Sequence, residues 1–259
     1  MSDKLILDNK ISKAAQLIVK SEHVVVLTGA GISTHSGIPD FRSQNSGLWK
    51  KNDPLQVASL STFKHHPERF YKWLLPLAQQ IHDAEPNSAH KALAHLEQQG
   101  MIKAIITQNI DNLHQRSGSQ EVLPVHGSLD LLFCLSCGEQ YNIDQFWSAY
   151  IERSEFPHCK KCDELLKPNI VLMEEMLPMD VWDKSIQHIQ SADLMFVIGS
   201  SLLVMPACEL PKIALRNNAH SIIVNLSSTY LDEYADVIIH QDLNDIVPMI
   251  DEKVSLLMK

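Results

Sequence analysis

Two rhythms of apolar residues alternate along this chain. Short unbroken apolar runs occupy 23–29 (HVVVLTG), 103–108 (KAIITQ), 194–200 (LMFVIGS), 221–226 (SIIVNL) and 236–240 (DVIIH). Continuous runs of this kind, rich in Val and Ile, predict strands buried on both faces. Between them the apolar positions return every three to four residues. That spacing predicts helices near 9–19, 88–99, 181–190, 207–217 and 246–257, with Gly100 ending the second. Strands alternating with helices predict an α/β fold, a parallel sheet with helices on both faces. Three runs end in polar or glycine-rich words: Thr28-Gly29-Ala30-Gly31, Thr107-Gln108-Asn109 and Gly199-Ser200-Ser201. Ligands bind at the carboxyl ends of such strands, so these words are expected to converge on one site.

Two stretches break the alternation. Residues 44–83 carry helical patterns with Pro54, Pro67 and Pro76 as breaks. Residues 128–167 hold two Cys-x-x-Cys pairs. Both read as insertions that pack together beside the sheet. The expected division is a sheet domain from 1–43, 84–127 and 168–259, and a small domain from a 44–83 helical module and a 128–167 cysteine module.

The cysteine pairs are Cys134/Cys137 and Cys159/Cys162, with 21 residues between them. Two such knuckles present four thiolates tetrahedrally to one Zn²⁺. The rivals are two disulfides or a redox pair. No signal-peptide pattern opens the chain, so a reducing cytosol is expected and structural disulfides are not. Four sulfur ligands close the metal to water, so this zinc is structural and the chemistry lies elsewhere. Cys208, in an apolar helical stretch, reads as a small buried hydrophobe.

Composition narrows the function. At 259 residues, 45% hydrophobic and 20% charged, the chain is an ordinary globular length and mixture. A net charge of −9 argues against a nucleic-acid surface. No apolar run is long enough to span a membrane.

Gly29-Ala30-Gly31-Ile32-Ser33 lets backbone approach a phosphate at a helix start, although Thr34 stands where a full dinucleotide fingerprint has its last glycine. An ordinary strand-to-helix turn is the alternative. Asp40, Phe41 and Arg42 follow, either a nucleotide clamp or a salt-bridged surface loop. Gln108-Asn109-Ile110-Asp111-Asn112-Leu113-His114 concentrates polar side chains at a strand end, where burial without partners is costly. Polar ligand binding explains them better than core packing. His126, one of 13 histidines, stands before Gly127 at the seam between the proposed domains.

Taken together, these words resemble the sirtuins, NAD-dependent protein lysine deacylases, and most of all their small bacterial and archaeal members. The matching words are GAGISTHSGIPDFR at 29–42, Gly47-Leu48-Trp49, TQNIDNLH at 107–114, His126-Gly127-Ser128, both cysteine pairs, Lys167-Pro168, Gly199-Ser200-Ser201-Leu202 and Val224-Asn225-Leu226. The resemblance implies a Rossmann-like domain with a small domain of zinc ribbon and helical module. It places NAD in the cleft between them. Gly29, Ala30, Gly31, Thr34, Asp40, Phe41 and Arg42 would line the NAD pocket. Gln108, Asn109, Ile110, Asp111 and His126 would surround the nicotinamide ribose. Gly199, Ser200, Ser201, Asn225 and Leu226 would contact phosphates and adenine ribose, with Asp242 and Leu243 near adenine.

The implied reaction begins as the acyl-lysine oxygen attacks C1′ of the nicotinamide ribose and nicotinamide leaves. A ribose hydroxyl then loses a proton and attacks the imidate carbon, yielding free lysine and 2′-O-acyl-ADP-ribose. His126 suits the general base, with a reference pKa of about 6.5 near working pH, while Asn109 and Asp111 orient the ribose. Acyl-lysine proteins are the expected substrates. Val171, Met173 and Glu174 fall where the family pairs with the substrate backbone. Met173 and Glu174 replace an aromatic and a glycine, so Glu174 is expected to add a charge beside the acyl-lysine tunnel and to favour basic residues near the target lysine. Ser227 replaces a common Glu, with loss of an adenosine-ribose contact expected. The Tyr-x-x-Arg pair of succinyl- and malonyl-specific members is missing, because Leu74 follows Tyr71 by three. Neutral acyl groups are therefore expected. The altered peptide site also leaves open an ADP-ribosyltransferase or NAD glycohydrolase, and a non-catalytic binder of NAD or ADP-ribose.

Overall fold

The computed structural model describes residues 3–40, 47–48 and 53–259. Six strands form one parallel sheet: β1 (Val24–Thr28), β2 (Ile102–Thr107), β3 (Val122–Pro124), β7 (Leu194–Ile198), β8 (His220–Val224) and β9 (Val237–Ile239). Their spatial order is β3-β2-β1-β7-β8-β9. A second, antiparallel sheet has the order β5-β4-β6, from β4 (Gly127–Cys134), β5 (Gln140–Asn142) and β6 (Leu166–Ile170). The helices are α1 (Asp3–Lys20), α2 (Pro54–Val57), α3 (Leu60–His65), α4 (Pro67–Asp83), α5 (Ser88–Gln98), α6 (Leu113–Arg116), α7 (Trp147–Arg153), α8 (Met179–Ser191), α9 (Leu210–Arg216) and α10 (Leu243–Leu257).

The strand period of two divides the large sheet into two cores. Val24, Val26, Ile105 and Phe196 pack with α1, α5 and α10 on one face. Val25, Leu27, Ile106 and Val197 pack with α8 and α9 on the other. Strands covered on both sides need apolar residues at every position, which is why the runs are unbroken. Each fully buried Val, Leu or Ile contributes about 1.5–3 kcal/mol of transfer free energy.

The 44–83 stretch differs in detail from its sequence reading. Pro54 and Pro67 open α2 and α3's successor α4 instead of breaking helices, because the first helical residue needs no N–H. Pro76 lies inside α4. The predicted helix at 207–217 divides into a 3₁₀ turn (Ala207–Glu209) and α9. A third apolar cluster joins Phe63, Phe70, Tyr71, Leu74 and Leu77 to Leu129, Tyr150, Ile170 and Leu172. Residues of the 44–83 and 128–167 stretches thus share one apolar cluster with Ile38, Leu113, Ile170 and Leu172. The small sheet itself starts at Gly127 and ends at Ile170.

Candidate active site

The chain order of the large sheet reverses between β1 and β7, which opens a crevice at their carboxyl ends. There Gly31 N–H donates to the Gly199 carbonyl at 2.9 Å. A Cβ on Gly31 would sit 2.7 Å from that oxygen, and Gly199 has φ +60°. Glycine at both positions lets the two turns cross at backbone contact, and the 3₁₀ turn Ala30–Ser36 starts directly above the crossing.

The crevice continues into a cleft of about 1360 Å³ that reaches the small domain. Ordinary small-molecule pockets hold roughly 300–1,000 Å³, so this one has room for two ligands. Gly29, Ala30, Gly31, Thr34, Asp40, Gln108, Asn109, Ile110 and His126 line it. Gly199, Ser200, Ser201, Asn225, Leu226 and Leu243 line it too, as do Val171, Met173 and Glu174. Phe41 and Arg42 lie outside the described residues.

His126 is half-buried, and its Nδ1 lies 2.9 Å from the Gln108 carbonyl. A carbonyl only accepts, so Nδ1 carries the proton of the neutral ring and Nε2 is the nitrogen able to take one. Gly127 follows with φ +76°, and a Cβ there would lie 2.0 Å from the Asn169 carbonyl oxygen. Only glycine permits that approach of β4 to β6. The approach in turn sets Val171 N–H on the His126 carbonyl at 2.8 Å.

Asn109 and Asp111 meet on Ser33. Asn109 Nδ2 donates to Ser33 Oγ at 3.1 Å and to the Gly29 carbonyl at 3.2 Å. Ser33 Oγ donates to Asp111 Oδ2 at 2.6 Å, and Leu113 N–H donates to Oδ1 at 3.0 Å. Asp111 does not line the cleft; it lies beneath, buried, where desolvation holds its carboxyl above the usual range against these hydrogen bonds. Ser33 was missed by sequence reasoning, although it closes the GAGIS word. Beneath lies a second buried chain: His114 Nε2 is 3.0 Å from Thr28 Oγ1, which donates to Thr107 Oγ1 at 2.8 Å. Thr107 Oγ1 accepts from Asn109 N–H at 3.1 Å.

Gln108 Nε2 donates to Ser200 Oγ at 2.9 Å, linking β2 to the β7 turn. Asn225 Nδ2 donates to the Ser227 carbonyl at 2.7 Å. Asp242 is not in the cleft wall. Its carboxylate caps α10 at Asn244 N–H (2.9 Å) and meets His35 Nε2 at 2.8 Å.

The substrate-side segment also departs from its sequence reading. Residues 171–175 form no regular strand. Met173 instead makes a bridge to Ser59, its N–H on the Ala58 carbonyl and its carbonyl accepting from Leu60 N–H. Glu174 sits at φ +75°, a left-handed conformation that explains why a glycine suits the position. Its carboxylate accepts from Ser61 N–H (2.9 Å) and Ser61 Oγ (2.6 Å), bonds that hold it below the usual carboxylate range. The expected tunnel charge is thus bound to the first turn of α3. Tyr71 is buried, donating to the Leu166 carbonyl and stacking on Phe156, so it is core and not an acyl-carboxylate ligand. Trp73 and Leu77, unassigned by sequence, give the cleft an apolar inner wall.

Outside the cleft, the Sγ atoms of Cys134, Cys137, Cys159 and Cys162 all lie within 4.8 Å of one another. The shorter separations are 3.4 and 3.6 Å. A disulfide would need about 2.05 Å. Tetrahedral zinc with Zn–S near 2.3 Å gives sulfur–sulfur edges of about 3.8 Å, so the four donors fit one structural zinc.

A family model described as the Sir2 family matches residues 29–206. The chain belongs to the Sir2 family. NAD-dependent protein deacylase 2 of Archaeoglobus fulgidus is 46% identical over 255 residues, covering 97% of this chain and 98% of that protein. A solved Sir2 enzyme superposes with TM-score 0.89 at 46% identity, covering 96% of this chain and 99% of that one. A Sir2 complex with a p53 peptide and NAD+ is 39% identical, with TM-score 0.83, covering 99% of this chain and 100% of that one. The family fold, a parallel sheet beside a zinc-ribbon module, is the fold of this Sir2 protein.

Proposed function

We propose that this Sir2 protein removes acyl groups from protein lysine side chains at the expense of NAD, releasing nicotinamide and 2′-O-acyl-ADP-ribose. The observation that carries the reading is His126. Its Nδ1 proton is committed to the Gln108 carbonyl, and it lines the same cleft as Asn109 and the glycine crossing. Relatives named NAD-dependent deacylases, aligned over nearly the whole chain, support it.

The residues fit NAD by chemistry: backbone N–H groups and Ser200, Ser201 and Asn225 suit phosphates and ribose, while Asn109 suits a carboxamide or ribose hydroxyl. When bound, NAD supplies the electrophilic ribose carbon and the nicotinamide leaving group. The chain's own task is to hold the acyl-lysine oxygen in line with that carbon, and such ordering supplies much of a rate. Trp73, Leu77 and Ile110 would keep water from the reacting carbons. His126 Nε2 would take the ribose hydroxyl proton. Asp111, through Ser33, would fix the Asn109 amide. Asp242 would act on the cleft only through its cap on α10. Zinc would keep the small domain in shape.

The division proposed from the sequence goes with this reading, NAD against the sheet domain and acyl-lysine between it and the small domain. A cytosolic location goes with thiolate ligands, which persist in reducing compartments. No helix among the described residues is long and apolar enough to cross a membrane. The glycohydrolase and transferase readings drew on the altered peptide site at Met173 and Glu174, where Glu174 is bonded to Ser61. The test is nicotinamide release with and without an acetyl-lysine peptide, with products identified by mass spectrometry. Peptide-dependent release with 2′-O-acetyl-ADP-ribose is expected. Peptide-independent release giving ADP-ribose would overturn the proposal.

A further inference from the structure

The cysteine module holds a side chain that a four-sulfur zinc site leaves unexplained. Tyr141, in the middle of β5, places its hydroxyl oxygen 3.3 Å from Cys159 Sγ. Cys159 is 2% exposed and packs with Leu132, Cys134 and Leu166, so the contact lies inside the module. A zinc-bound sulfur is a thiolate and only accepts, so the tyrosine hydroxyl is the donor. Among the described residues, no other side chain from outside the four cysteines donates to one of their sulfurs.

Several contacts fix the hydroxyl where it is. Tyr141 pairs with Leu132 on β4, the strand that delivers Cys134. Its ring meets Phe146 edge-on, centroids 5.6 Å apart. Lys160 Nζ stands 5.2 Å from the Phe146 centroid and 5.8 Å from the Tyr141 centroid, tied to Gln145 Oε1 at 2.7 Å. Four thiolates outweigh one Zn²⁺ in charge, so a donor and a cation beside them relieve an excess of negative charge. The neighbouring Lys161 is engaged with Glu139 at 3.4 Å, which leaves that task to Tyr141 and Lys160.

The four sulfurs also differ in access. Cys162 is exposed and Cys137 half-buried, while Cys134 and Cys159 are buried. A competing chelator reaches Cys162 first, and the buried pair then decides whether the metal stays. Each buried sulfur has a donor: Cys137 N–H on Cys134 Sγ at 3.4 Å, and Tyr141 on Cys159. We infer that Tyr141 is a positioning residue of the zinc site, whose hydroxyl holds the Cys159 thiolate in place, draws off part of its charge and slows loss of the metal. This role is independent of the reaction in the cleft.

The experiment compares the zinc-loaded full chain with Tyr141→Phe, which keeps the ring and removes only the hydroxyl. Metal transfer to an excess of a chromogenic chelator should be about tenfold faster in the variant, the scale on which outer hydrogen-bond partners tune metal affinity. Melting temperature in excess zinc should stay the same, because the packing is kept. In cobalt-substituted protein the sulfur-to-cobalt charge-transfer band should move to longer wavelength in Tyr141→Phe, because a thiolate that loses a hydrogen bond holds its lone pair less tightly. A purely structural tyrosine would not move that band. An unshifted band, or an unchanged transfer rate, overturns the inference. A wild-type chain that binds no zinc overturns the four-cysteine site and the role of Tyr141 with it.

Discussion

Lys167 and Glu175 form an ion pair, Nζ to carboxylate 2.9 Å, across the turn that carries residues 171–173. Lys167 is buried, and its ammonium also donates to the Ile170 carbonyl at 2.8 Å. The same Glu175 oxygen accepts from Leu172 N–H at 2.9 Å. Two side chains thus close a loop of backbone whose next contact is the His126 carbonyl. Removing one member strands the other, at about 3 kcal/mol. Lys167→Met should therefore destabilise by about that amount and raise the peptide KM. Lys167→Met with Glu175→Gln should cost less than Lys167→Met alone. Denaturant melts of the two proteins check the order.

His126→Ala should lower peptide-dependent nicotinamide turnover to product at least about hundredfold, the scale of general-base loss. The Nδ1 hydrogen bond to the Gln108 carbonyl is worth about 1 kcal/mol, and the four cysteines stand apart from the cleft, so the variant should fold and zinc content should not change. Steady-state assays beside a melt and metal analysis decide it. Wild-type turnover in a folded variant would remove His126 as the base.

Two buried histidines contribute to the acid sensitivity of the fold. Burial pushes His90 down to about 4 and holds His114 well below the usual imidazole range. Their rings contact each other at 4.9 Å beneath the Thr28–Thr107 pair. A depressed folded pKa means the unfolded chain binds protons first as pH falls. Their contribution to stability is then full above about pH 6.5 and is lost towards pH 4. His90→Gln keeps an acceptor for the Asn87 N–H at the start of α5 and removes one titration. Its stability should fall less steeply over that window in melts taken at stepped pH.

Glu174 holds a left-handed backbone and caps α3 through Ser61. Glu174→Ala loses the cap and keeps the strain. Glu174→Gly loses the cap and relieves the strain. The glycine variant should therefore melt above the alanine variant. The reverse order would show that the backbone here carries no strain.

Cys159→Ser should release zinc and loosen the 128–167 module before it touches the cleft, because the four sulfurs stand apart from the cleft lining. Metal analysis and limited proteolysis of the module are the readouts. Full zinc content in the variant would refute a four-cysteine site.

Periodicity located five of the six strands of the large sheet because they are buried on both faces; the three-residue edge strand β3, only partly buried, carried no such run. A core of that kind forces unbroken apolar runs, and each run read from sequence lies within two residues of an observed strand. The four cysteines were legible for a related reason: two short knuckles are local geometry, and the metal needs only that both reach it. The GAGIS and TQNIDNLH words announced a polar site at strand ends.

Tertiary structure decided the contacts between segments distant in sequence. Ser33 became the link between Asn109 and Asp111 only when the first and second strand ends came side by side. Asp242 went to a helix cap and His35, away from the cleft wall. Glu174 read as a free charge because its partner, Ser61, is brought to it by folding of the helical module. Met173 and Met205 line one cleft from two loops that no local spacing relates. A sequence dictates side-chain chemistry and local period; which polar group satisfies which, and which apolar group stays uncovered, depends on close packing of the whole chain.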